Sequence, residues 1–218
     1  LKAKNLDKLQ GMTLEFVNLV SDASNVAIED FGVHGSIALS MHSQESDIDI
    51  VVYGSRNFRK MEEAINRLVR EGTLSFVFGN RLDAARRFKG RYQGKIFMYN
   101  AVRKPEEVTV KYGEYVYTPV IPIKFQCKVK DDNEAMFRPA IYKIKDYTPI
   151  NQGSKLAEEM VPEAVVSMIG CYRNIAKKGQ RIEVSGMLER VEKVGTGETF
   201  YQVVVGTAEN EEEYIWRV

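Results

Sequence analysis

Leu6, Leu9, Met12, Phe16, Leu19 and Val20 recur at near-helical spacing, which predicts a first helix over about residues 5–22. Val26 to His34 reads as a short strand that runs directly into Gly35-Ser36. From Asp47 the chain alternates, Asp-Ile-Asp-Ile, and then stays apolar through Val51, Val52 and Tyr53, the pattern of a largely buried strand. Gly54-Ser55 breaks that strand and supplies a helix start. Phe58, Met61, Ile65, Leu68 and Val69 form the next helical stripe, and Gly72 stops it. A short helix is expected near Arg81 to Phe88 and a strand over Lys95 to Val102.

Beyond this the pattern changes. Val108 to Lys145 favours extended chain, with Val108-Thr-Val, then Tyr115-Val-Tyr, then the long alternation Ile121, Ile123, Phe125, Cys127, Val129. Met160 to Ala176 fits helix and strand equally. Ile182, Val184, Gly186 and Leu188 alternate again, Gly195-Thr-Gly197 makes a turn, and Phe200 to Val205 pairs back. The prediction is an α+β protein: a unit over residues 1–110 with a small mixed sheet and flanking helices, then a β-rich unit over 111–218. Phe125, Tyr142, Tyr172 and Tyr201 sit within apolar alternation and are read as core. Adjacent strand residues point to opposite faces, so Asp131-Asp132 is read as a turn rather than a shared metal site.

Composition narrows the class. With 44% hydrophobic and 28% charged residues the chain is ordinary for a globular protein, and no apolar run approaches the roughly 20 residues that span a bilayer. No signal peptide opens it, and it begins without Met, as a fragment would; a cytoplasmic location is expected. Cys127 and Cys171, 44 positions apart in apolar patterns, read as small buried hydrophobes in a reducing compartment, with no zinc-type cluster. The net charge of +1 conceals an asymmetry: Ser55 to Lys104 holds thirteen Lys/Arg against four Asp/Glu, whereas Glu209 to Glu213 is acidic. One surface should attract phosphates.

The chemistry concentrates in His34-Gly-Ser-Ile-Ala-Leu-Ser-Met-His-Ser-Gln-Glu-Ser-Asp-Ile-Asp-Ile-Val-Val-Tyr-Gly54. Strand residues two apart share a face, so Asp47 and Asp49 project together while Ile48 and Ile50 anchor the other side. Two carboxylates at that spacing repel unless a cation lies between them, and Mg2+ (or Mn2+) satisfies them while also bridging substrate phosphates. Gly35 permits a close backbone approach, and Ser36 offers a hydroxyl and an N–H at a helix start, suited to a phosphate oxygen or simply to capping.

Gly-Ser, ten residues, then Asp-x-Asp between apolar neighbours resembles the signature of the DNA-polymerase-beta-like nucleotidyltransferases. Ser46-Asp-Ile-Asp-Ile-Val-Val-Tyr-Gly54 is similar to uncharacterised archaeal predicted nucleotidyltransferases. So are Arg86-Arg87-Phe-Lys-Gly90, Phe137-Arg-Pro-Ala-Ile-Tyr142, Gly186-x-Leu-Glu189 and Val203-Val-Val-Gly206. Some of those proteins carry a further N-terminal segment. The resemblance implies transfer of a nucleoside monophosphate from a metal-bound nucleoside triphosphate to an acceptor. Asp47 and Asp49 would then be the catalytic metal ligands, and Gly35 with Ser36 would hold the terminal phosphates. Such enzymes usually place a third carboxylate on a later strand. The expected strand, Lys95-Ile-Phe-Met-Tyr-Asn-Ala-Val102, contains no acid, and Glu114, Asp131 and Asp132 are the nearest alternatives.

The run Arg81 to Lys95 carries six positive charges and one negative. Arg86, Arg87 and Lys89 are its candidates for phosphate, with Phe88 and Tyr92 available for stacking; a solvated loop explains the run equally well. His34 and His42 read as packing or hydrogen-bonding histidines. Two other functions fit the same residues: a non-catalytic nucleotide sensor, and an RNA-associated module using the β-rich unit and the basic run. The acceptor is open between RNA and protein.

Overall fold

Asp7 opens the first helix with a reciprocal cap: its side chain accepts from the backbone N–H groups of Leu9 and Gln10, and the Gln10 side chain accepts from the N–H of Asp7. In the computed structural model, which describes residues 5–207 and 212–218, this helix (α1) spans Lys8–Ser24. The chain divides into two compact units, residues 1–107 and 108–218.

In the first unit, β1 (Phe31–Val33), β2 (Ile48–Tyr53), β3 (Ser75–Phe76), β4 (Lys89–Tyr92) and β5 (Lys95–Val102) form one sheet in the order β1-β2-β5-β4-β3. Only the β2–β5 pair is parallel; between them run α3 (Ser55–Arg70) and α4 (Arg81–Arg86). Another helix, α2 (Gly35–Ala38), follows β1.

The alternation of β2 and β5 decides which face the helices cover. Ile48, Ile50, Val52, Phe97, Tyr99 and Ala101 are buried, and against them lie Phe16 of α1 and Phe58 of α3. Phe16 stands 4.6 Å from Phe97 and Phe58 stands 5.9 Å from Tyr99, ring centre to ring centre. Burying such rings contributes about 1.5–3 kcal/mol each and fixes the sheet's orientation. The opposite face, carrying Asp49, Met98 and Asn100, is half-buried.

The strand expected over Val26–His34 is shorter, because Val26 closes the end of α1 and Ile28–Asp30 turns as a 3-10 helix. Gly54 and Ser55 do start α3. The cap comes from a distance: Glu107 Oε1 accepts from the N–H of Ser55 at 2.8 Å and from its hydroxyl at 2.7 Å.

The second unit is a barrel. Its strands are β6 (Tyr115–Glu134), β7 (Ala140–Pro149), β8 (Ala164–Ser167), β9 (Arg181–Lys193), β10 (Thr199–Val205) and β11 (Tyr214–Arg217). β6 pairs with β7, β7 with β8, β8 in parallel with β10, and β10 with β9, which returns to β6 and closes five strands; β11 adds to β9. Closure needs a tight crossing at Gly186, where a β-carbon would lie 2.4 Å from the carbonyl oxygen of Val204. Phe125, Cys127, Tyr142, Val165, Val184, Leu188 and Val203 fill the interior. Burial pushes the Cys127 thiol up to about 12, and no disulfide joins it to Cys171.

Asp131 and Asp132 correct the turn reading: they lie in the bulged end of β6, and the turn begins at Ala135. Asp131 accepts from the N–H and side-chain amide of Asn133, and Asp132 from the N–H of Lys178. No helix among the described residues is long and apolar enough to cross a membrane.

Desolvation raises the Glu107 carboxyl, but hydrogen bonds from Lys104 and Ser55 outweigh it and hold the group below its usual value. A carboxyl depressed on folding stabilises above its unfolded pKa, near 4.5, and that contribution is lost as pH falls through the folded value. Glu107→Gln should therefore cost about 1 kcal/mol at neutral pH, speeding hydrogen exchange over residues 55–70 roughly fivefold. The excess should shrink as the pH falls below the usual carboxylate range. Equal exchange in the two proteins at pH 7 would refute the capping role.

Candidate active site

Two backbone contacts bring the Gly-Ser elbow to the Asp pair. The antiparallel β1–β2 register sets Val33 opposite Ile50, and one residue on the N–H of His34 donates to the carbonyl of Asp49 at 3.1 Å. Gly35 then takes a φ of +66°, and a β-carbon there would fall 2.4 Å from Asp49 Oδ2. The carboxylate occupies the place of a side chain, so only glycine fits both the backbone and the space. Ser36 follows in the first turn of α2, half-buried. That helix has four residues, so an anion there would be held by N–H and hydroxyl groups with little help from a helix dipole.

Asp47 directly precedes β2 and lies near enough for its charge to act on Asp49. Burial is the largest influence on the Asp49 carboxyl and raises it; His34 pulls it down, Asp47 pushes it up, and the net direction is upward. Two neighbouring half-buried carboxylates suit a hard cation, which offsets both their charges and the desolvation of Asp49. Mg2+ binds through one or two protein carboxylates plus waters and substrate phosphates, so the donor set fits it.

Strand register extends the site sideways. Asp49 faces Met98 on β5, and Met98 faces Lys89 on β4, so the three share the open face. Two strand spacings put Lys89 about 10 Å from Asp49, backbone to backbone. Asn100, the next residue on that face of β5, sets its Nδ2 3.4 Å from His34 Nε2. Met98 thus holds the strand position beside Asp49, and Asn100 the one beside Val51. Glu114, Asp131 and Asp132 lie in the second unit, and among the described residues no three His, Cys, Asp or Glu side chains are grouped to hold a metal.

The basic run separates into two sets. Lys89 joins the open face. Arg86 pairs with Asp83 at 2.6 Å and lies 6.0 Å from the Phe88 ring centre; Arg87 donates to Asn66 on α3 at 3.1 Å and covers Phe76 at 5.6 Å. The stacking candidates Phe88 and Tyr92 are both buried, on the helix-covered side with Phe58 and Phe16. His42 ties the loop between the two motif halves to α1, its Nε2 2.7 Å from Asp7 Oδ2. Neither the His42–Asp7 tie nor the Asn100–His34 contact is readable from spacing; only the Asp7 cap left a local signal, Asp-x-x-Gln. A cavity of about 710 Å3, lined by Leu14, Val17, Phe31, Val33, Ile37 and Ala38 among others, lies beneath α2 and away from the aspartates' open face.

Residues 15–111 match the family model described as nucleotidyltransferase domain. The chain is 29% identical over 219 residues to Uncharacterized protein MJ1086 of Methanocaldococcus jannaschii, an alignment covering 90% of this chain and 61% of that protein. It therefore spans less than two thirds of that relative's length. No solved structure matches.

The Gly35–Asp49 contact yields a prediction. Gly35→Ala should displace the Asp49 carboxylate and weaken Mn2+ binding at least about tenfold, measured by the paramagnetic signal of free Mn2+, with circular dichroism unchanged. Affinity equal to the parent's would show that the glycine does not set the carboxylate's position.

Proposed function

We propose, for a chain whose residues 15–111 form a nucleotidyltransferase domain of the polymerase-beta-like superfamily, that its open sheet face binds a nucleoside triphosphate with Mg2+ and transfers the nucleoside monophosphate to an acceptor hydroxyl. The observation that carries the reading is the packing of Gly35 against the Asp49 carboxylate, which joins the phosphate-binding and metal-binding halves of the motif in one place.

Asp47 and Asp49 would hold the cation, which when bound neutralises triphosphate charge and stabilises the attacking and leaving oxygens. Gly35 and Ser36 supply the backbone N–H and hydroxyl for the terminal phosphates. Lys89, on the same face across Met98, adds a positive charge for phosphate oxygens. The acceptor oxygen bonds to the α-phosphorus, the bond from that phosphorus to the bridging oxygen of the β-phosphate breaks, and pyrophosphate leaves. The acceptor's proton passes to solvent or to a basic group of the site.

One observation favours a second reading. Met98, rather than an acid, stands beside Asp49 on β5, and the next residue on that face is Asn100. A site limited to two carboxylates suits a sensor that binds nucleotide without turnover. Incubation with Mg2+, each nucleoside triphosphate labelled at the α-phosphate, and RNA and protein acceptors separates the two. The transferase releases pyrophosphate and labels an acceptor; nucleotide binding with no release from any acceptor selects the sensor. Asp47→Asn and Asp49→Asn should each lower release at least roughly 100-fold, since several kcal/mol of charge stabilisation is lost. Lys89→Ala should raise KM for the triphosphate about tenfold with little change in kcat; an unchanged KM removes Lys89 from the site.

A further inference from the structure

Strand register on the barrel places three cations side by side. Arg181 of β9 faces Lys128 of β6, and Lys128 faces Lys145 of β7. Their chain neighbours Ile182, Cys127, Val129 and Ile144 are buried, so these three side chains point outward. Lys130 and Lys143, both exposed, flank the row. Like charges directly opposite one another on a sheet destabilise it. Here none of the three is in an ion pair with a carboxylate among the described residues.

Among the described residues the nearby acids form no ion pair with the row. Asp131 faces Lys143 but accepts both hydrogen bonds from Asn133, and Asp132 accepts from the N–H of Lys178. Asp146 in β7 and Glu163, just before β8, likewise form no ion pair with the row. Nor is the row a by-product of a basic domain. Residues 108–218 contain fifteen Lys/Arg and sixteen Asp/Glu, so the positive charge is a local concentration.

We infer that the outer face formed by β9, β6 and β7 at Arg181, Lys128 and Lys145 binds the phosphate backbone of single-stranded nucleic acid. Three cations one strand spacing apart extend about 10 Å, within reach of consecutive phosphates on an extended strand. There is one row, so it follows one backbone rather than the two of a duplex. The cations are mostly lysines, which act as point charges and select phosphate without reading bases. The closed five-stranded Greek-key barrel is the architecture of the OB-fold, whose second and third strands, here β7 and β8, form the oligonucleotide-binding face; the row meets that face at Lys145 of β7. Architecture alone assigns no function, and the charges carry the argument. The inference is independent of nucleotide transfer and is tested without nucleotide or Mg2+.

The test is fluorescence anisotropy of a labelled uridine homopolymer of about 20 nucleotides, long enough for one barrel site, titrated with the full chain at several salt concentrations. Affinity should fall with salt with a log–log slope of about −2 or steeper, as three neutralised phosphates give. The variant combining Lys128→Glu, Lys145→Glu and Arg181→Glu should weaken binding at least about tenfold at 0.1 M salt and flatten the slope by about 2. Lys155→Glu, an exposed reversal elsewhere on the barrel, should leave binding unchanged. Thermal unfolding checks that the triple variant is folded; if it is not, Lys128→Ala alone should still lower affinity severalfold. Four outcomes would overturn the assignment: no binding by the parent chain, equal loss with Lys155→Glu, equal binding of polyglutamate, or tighter binding of duplex than of single strand.

Discussion

The Asp49 carboxylate fills the space that a side chain on Gly35 would need, and the rest of the N-terminal site is arranged around that contact. Two constraints meet there. The β1–β2 ladder fixes the height of His34 against Asp49, and the positive φ of Gly35 turns the chain across the end of the sheet. A larger residue would have to move a charged group, and with it whatever the carboxylate binds. Sequence separation hides this contact: thirteen residues lie between the two, and only the fold brings them together.

Rigidity behind the site comes from the other side of the same strands. Phe16, Phe58, Phe88, Phe97 and Tyr99 form a continuous aromatic layer between sheet and helices, which leaves Asp49, Met98 and Lys89 on the opposite, half-buried face. The face combines two carboxylates near one end with a lysine two strands away. An isolated anion would be repelled at the first and attracted at the second, whereas a triphosphate carrying its own divalent cation is complementary to both. That pairing of charges, rather than either half, supports nucleotide binding.

Legibility varied with how local the determining physics was. Helix α3 and strands β2 and β5 were readable because one face of each is apolar at its own period. The end of β1 was not, because Val26 packs as the closing residue of α1 although its type suits a strand. In the β-rich unit the alternation was visible, but the single strand from Tyr115 to Glu134 was obscured by Pro119 and Pro122, which β6 accommodates around a register shift between Pro119 and Ile121. The four-residue strands β8 and β11 are too short for periodicity to show, and the parallel β8–β10 pair that closes the barrel joins segments far apart in sequence. The Asp pair and Gly-Ser were legible as a motif. The direction of each cation in the Arg86–Lys89 run was not, because charge carries no period: Arg87 turned to α3 and Phe76, and Lys89 to the open face.

The most direct test of the central claim is the location of a bound cation. Crystals grown with Mn2+ and a non-hydrolysable nucleoside triphosphate should show an anomalous scattering peak shared by the Asp47 and Asp49 carboxylates, with the terminal phosphates against Gly35 and Ser36. A bound triphosphate with no metal peak at these two residues, or a peak on the helix-covered side of the sheet, would contradict it.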